Sequence, residues 1–179
     1  MNLPSLWLLQ YLIAAGISLA VSFYVIYQEE KSHPPSAALR YLFTFGLSIF
    51  VWENLAYLQR SASNLNDAFT YLRLLSISGV LSQSTYLAAV LSIRKKIRVL
   101  PLVFLPAWIN VCTVPFVSYD FHLTQYGWSY RVAQPSAPLI IAILIYLGYL
   151  VATVISLIKL VWEARSKPVS YTHLTLPTN

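Results

Sequence analysis

"APLIIAILIYLGYLVATVISLIKLVW" (residues 137–162) carries a single charged residue, Lys159, in 26 positions. A helix rises about 1.5 Å per residue, so this run extends about 39 Å, more than the ~30 Å hydrocarbon core of a bilayer. Barrel strands alternate over about 10 residues, and a surface helix of a soluble domain needs a polar face. The stretch shows neither pattern and reads as a membrane-spanning helix.

Working outward, four more segments of similar character precede it. The spans run Ser5–Tyr27, Leu39–Gln59, Ala68–Ile93, Ile97–Val117 and Ala137–Trp162. The expected fold is all-α: a polytopic transmembrane helix bundle of five spans. Composition agrees, since the 179 residues are 58% hydrophobic and 10% charged, against about 25% charged in ordinary soluble domains. The implied partner is the lipid bilayer and the implied location a cell membrane, crossed several times. No Lys or Arg precedes the first apolar run, which is too long for a signal peptide, so it counts as a span. Cys112 is the lone cysteine, which excludes an intrachain disulfide, a zinc cluster and a CxxC pair.

The net charge of +6 is read as orienting the chain and meeting anionic headgroups, with no nucleic-acid partner. The connection "RKKIR" (residues 94–98) belongs inside under the positive-inside rule. That choice also places Lys31, Arg40, Lys159, Arg165 and Lys167 inside. Nine of the 12 basic residues then lie inside, and Arg60, Arg73 and Arg131 lie on the outer half. The expected topology has the N-terminus outside and the C-terminus inside.

Candidate functional residues follow from the same frame. Glu53 is the acidic residue well inside a span, where an ionised side chain costs roughly 2.5–3.5 kcal/mol. Arg73 lies at the same depth on the next, antiparallel helix, so the two are expected to form an intramembrane pair. That pair is either a ligand or proton site or a device fixing helix register. The third span, with Ser76, Ser78, Ser82, Gln83, Ser84 and Thr85, is expected to be interior, with Ser82 and Gln83 as its candidate polar positions. Hydroxyls can bond their own helix, whereas Gln83 calls for another partner. Small-residue stripes, Ala14/Ser18/Ser22 and Gly148/Ala152/Ser156, allow close helix approach. Pro106 is expected to kink the fourth helix. In the long outer connection, Tyr126, Trp128 and Arg131 are candidates for an interfacial belt or for a small-molecule site, with Asp120 and His122 as further polar groups. His33 stands alone in an inner loop. No phosphate loop, carboxylate pair, metal-ligand set or mid-membrane Lys occurs, so neither catalysis nor a cofactor is expected.

Four stretches carry a resemblance: "FTFGLSIFVWENLAYL" (43–58), "RLLSISGVL" (73–81), "LPLVFLPAWINVCTVPF" (100–116) and "YGWSYRVAQPSAPL" (126–139). Together, over about residues 5–165, the chain resembles the N-terminal seven-transmembrane region of bacterial and archaeal sensor histidine kinases, with five of the seven helices present. It departs from that pattern at "LSQSTYLAAV" (81–90), where members often carry a proline and a phenylalanine. The resemblance implies an input domain that couples an outer or intramembrane stimulus to a cytoplasmic output module, and it implies a homodimer. A fragment of a small-solute transporter or permease is the alternative. Residues 1–168 are expected to form a partial input domain. The tail "VSYTHLTLPTN" (169–179) resembles a translated sequencing adapter and is expected to be non-native.

Overall fold

A computed structural model describes residues 3–31, 36–94 and 99–166. Five α-helices and one hairpin make up the described chain: α1 Leu3–Lys31, α2 Ala37–Ser61, α3 Leu65–Ile93, α4 Leu100–Thr113, β1 Tyr119–Thr124, β2 Gly127–Val132 and α5 Ala137–Ser166. Four of the helices, α1, α2, α3 and α5, are long and apolar enough to cross a membrane. The tail 169–179, expected to be non-native, the basic residues Lys95, Lys96 and Arg98, and His33 fall outside the described residues.

Two corrections follow. The fourth span is shorter than expected: α4 has 14 residues, about 21 Å, and is prolonged only by a 3₁₀ turn over Val114–Phe116. Pro115 lacks the N–H that would continue an α-helix, so the ladder tightens and stops there. The chain is mostly helical, as expected, with one small addition that the all-α reading lacked: a two-stranded antiparallel hairpin between α4 and α5. Its strands read Y-D-F-H-L-T and G-W-S-Y-R-V, alternating apolar and polar as a half-covered strand does.

α3 is the interior helix, as expected, and packs against α2, α4 and α5. Its hydroxyls from Ser76 to Thr85 are satisfied on its own backbone: Ser76 donates to the Leu72 carbonyl (3.0 Å), Ser82 to Gly79 (2.7 Å) and Thr85 to Leu81 (2.9 Å). A serine-rich helix can therefore be buried without partners for each serine. It starts cleanly, because Asn64 accepts from the Asp67 N–H at 2.9 Å and donates back to its carboxylate at 2.8 Å.

The core joins Val80, Leu87 and Ala88 of α3 to Leu100, Val103 and Ala107 of α4 and Tyr149 of α5. On the other side, the α1 stripe meets α2. Ser22 is fully buried, and a Cβ on Gly46 would stand 2.0 Å from its Oγ. Pro106 lies within an unbroken α4.

Candidate functional site

The hairpin lies across the end of the bundle where α2 stops and α3 starts. Its register pairs Phe121 with Tyr130 and Asp120 with Arg131, so the aromatic residues share one face and the charged ones the other. The aromatic face interlocks with Phe69 of α3. Phe69 lies 5.7 Å from Phe121, Tyr119 lies 5.6 Å from Tyr130, and Phe121 lies 6.5 Å from Trp128 between ring centroids. Each such pair contributes about 0.5–1.5 kcal/mol beyond its area burial.

Gly127 and Trp128 lock this face onto α2. The Trp128 indole N–H donates to the Ala62 carbonyl at 3.0 Å, satisfying a group just past the helix end. Gln59, itself buried, donates to the Trp128 carbonyl at 3.2 Å. The tip is held by Thr124, whose hydroxyl donates to the Gly127 carbonyl (2.8 Å) and accepts from the Tyr126 N–H (3.2 Å).

Beneath the hairpin, Tyr146 of α5 donates to the Ser76 carbonyl at 3.3 Å, and the Tyr119 phenol lies near the Ser76 side chain. Burial pushes the Tyr119 phenol above its ordinary value, with Ser76 and Arg73 drawing it back and Tyr130 adding to the rise. Burial raises Tyr130 as well, against the pull of Arg60. Three residues further along α3, Gly79 leaves room for two side chains. A Cβ there would lie 2.5 Å from Tyr146 Oη and 3.3 Å from Trp52 Nε1. The residues Trp52, Ser76, Gly79, Tyr119 and Tyr146 thus tie α2, α3, the hairpin and α5 together.

Beside the hairpin lies an open hollow of about 610 Å³, lined by Leu65, Asn66 and Phe69 of α3 and by Tyr119, Asp120, Phe121 and Arg131. Arg131 Nε stands 3.5 Å from Asp120 Oδ2, both side chains more than half exposed. A second cleft, about 570 Å³ between α3, α4 and α5, is walled by Leu87, Pro106, Ile109, Leu144 and Tyr149, with Gly148 among its lining residues. Its wall offers shape and almost no polar recognition.

At the opposite end, Arg94 grips Glu163 with two nitrogens, at 2.6 and 3.4 Å, joining the end of α3 to the end of α5.

The expected pair does not form. Among the described residues no ion pair joins Glu53 to Arg73. Arg73 Nη2 instead donates to the Pro115 carbonyl at 3.0 Å, and its guanidinium stacks 4.1 Å from the Phe69 ring centre. Its counter-charge is the negative C-terminal end of α4 together with an aromatic face. Glu53 is half-buried on α2, on the seven-residue stripe whose other members, Gly46 and Arg60, meet Ser22 and Tyr11 of α1. Ser82 is buried and self-bonded. Gln83 is half-buried, with no side-chain hydrogen bond among the described residues. Of the loop candidates, Trp128 docks, Arg131 lines the hollow, and Tyr126 sits partly exposed at the tip.

Sequence reasoning missed Tyr119, Tyr146 and Gly79 as joints. The two-residue alternation around Tyr119 was the available signal. Nothing in the sequence pattern marks Tyr146 among the other apolar-run tyrosines. Among the described residues, no three His, Cys, Asp or Glu side chains converge on a metal position. No family model, no curated protein and no solved structure matches this chain.

Proposed function

We propose that the chain is a membrane-embedded signal-input domain of the type that precedes sensor histidine kinase modules, without catalysis of its own. The hairpin end faces outside, the Arg94–Glu163 end faces the cytoplasm, and two copies associate in the working receptor. One observation carries the reading: Tyr146 of α5 donates to the Ser76 carbonyl of α3 at 3.3 Å, at the level where the hairpin's Tyr119 lies near the Ser76 side chain. Movement of the hairpin therefore bears directly on the helix whose far end is clasped to α3.

The test measures spin-label distances between the Arg94 and Glu163 ends of α3 and α5 in lipid nanodiscs, with labels at Ser92 and Val161. Tyr119→Phe and Tyr146→Phe should each shift that distance distribution while leaving helix content unchanged. An unaltered distribution in both variants rejects coupling through Ser76.

A transport reading keeps one specific observation. Asn110 of α4 is wholly buried with neither amide atom bonded, and Thr153 Oγ1 of α5 is likewise buried and unbonded, among the described residues. Solute uptake by proteoliposomes that Asn110→Leu abolishes would favour it.

A further inference from the structure

The hollow beside the hairpin has a lining that mixes charged, amide and aromatic groups. Asp120 and Arg131 are direct cross-strand partners, so the hairpin backbone fixes the spacing of one carboxylate and one guanidinium at its rim. They touch by a single long contact of 3.5 Å, and both are largely solvent-exposed. Such pairs contribute little to stability, so a ligand can part them at small cost. Asn66 adds an amide that both donates and accepts, at the first turn of α3, where backbone N–H groups and the helix dipole favour a negative group. The remaining walls are Phe69, Tyr119 and Phe121. Two further charges lie close by. Asp67 is tied to Asn64, and Arg73 is stacked on the Phe69 ring. The four formal charges cancel.

We infer that this hollow binds a small zwitterion with an apolar or aromatic side chain, the chemical class of free α-amino acids. The ligand's carboxylate takes Arg131 and the start of α3, its ammonium takes Asp120 and the aromatic faces, and its side chain lies on Phe69 and Phe121. A lone inorganic anion meets Asp120 unfavourably, and a lone metal cation meets Arg131 in the same way. The volume falls within the roughly 300–1,000 Å³ of small-molecule sites. This inference rests on the hairpin end being the input site.

The experiment is calorimetric titration of the whole chain in nanodiscs with L-phenylalanine and L-leucine. Phenethylamine and 3-phenylpropionate serve as the same body lacking one charge each. The amino acids should bind at least about tenfold more tightly than either truncated probe, a difference of about 1.4 kcal/mol. Asp120→Asn should erase the advantage over 3-phenylpropionate, and Arg131→Gln the advantage over phenethylamine. Both positions are exposed, so the variants keep the fold, which a circular dichroism melt checks. Absence of heat with both amino acids overturns the inference, as does equal binding of the truncated probes. If amino acids bind while the α3–α5 distance responds to no hairpin variant, the site stands and the signalling reading falls. The reverse result rejects the site alone.

Discussion

Gly127 answers two demands that no other residue meets together. Its φ is +95°, a region that side chains rarely enter, and a Cβ there would stand 2.1 Å from the Arg60 carbonyl oxygen. The obstacle is backbone, so it cannot rotate away. Gly127→Ala should lower the melting temperature in detergent by several degrees, as expected for a loss of about 1–2 kcal/mol or more. Trp128 emission should shift to longer wavelength as the indole leaves Ala62. Unchanged emission and melting would refute this account of hairpin docking. The tyrosines beneath make a second prediction. Burial raises Tyr119 and Tyr130, so folding favours their neutral forms. The stability they contribute is complete below the free phenol value of about 10 and declines as pH rises through the higher folded values. Ultraviolet titration should show at least the two hairpin phenols ionising later than free tyrosine, with near-ultraviolet dichroism lost in step. Ionisation of every phenol at the free value contradicts it.

At the scale of elements, α4 depends on a charge supplied by its neighbour. Arg73 meets the Pro115 carbonyl where the α4 dipole ends, so Arg73→Leu should loosen α4 and the hairpin by about 1–2 kcal/mol. Glu53→Gln should leave them in place, because Glu53 lies on the α1 side of α2. Hydrogen exchange at α4 and β1 amides separates the cases: an equal rise in both variants restores the ion pair expected from the sequence. The contrast also shows what was legible. α1, α2, α3 and α5 could be read because apolarity over more than twenty residues has one physical solution in lipid. The position of Arg73 two turns into α3 was legible in the sequence, but its partner is a backbone carbonyl, which side-chain pattern does not advertise. The hairpin was written in the alternation from Tyr119 to Thr124 and from Gly127 to Val132. Its aromatics were read as an interfacial belt or a small-molecule site and not as a strand face, because belt and strand face draw on the same residue types. Trp128 and Arg131 were singled out by residue type, whereas Tyr119 and Tyr146 come together near Ser76 only through the packing.

For the whole molecule, the decisive quantity is the length of α4 against that of its neighbours. α4 runs between the Arg94 end and the hairpin end, yet its apolar helical stretch, Leu100–Phe116, measures about 25 Å at an α-helical rise. Its Pro115 meets α3 at Arg73, eight residues and about 12 Å along from the start of that helix. The hairpin occupies this difference: its aromatic face fills the level that a longer α4 would have reached. In a bilayer of ~30 Å hydrocarbon thickness, Phe121, Trp128 and Tyr130 are then expected at headgroup depth, where aromatic rings with a polar edge are favoured. The charged face of Asp120 and Arg131 would then be left toward water, and the hollow proposed for a zwitterion would open at the boundary between the two. A protein retaining only Trp128, with the other four tryptophans replaced by phenylalanine, tests this placement. Its fluorescence should be quenched strongly by lipids labelled near the headgroup and weakly by lipids labelled at the chain ends. Aqueous acrylamide should reach it only in part. Full acrylamide quenching with no lipid effect would put the hairpin clear of the membrane, and α4 would then have to cross by thinning the bilayer around it, which the same protein would reveal as a dependence of stability on lipid chain length.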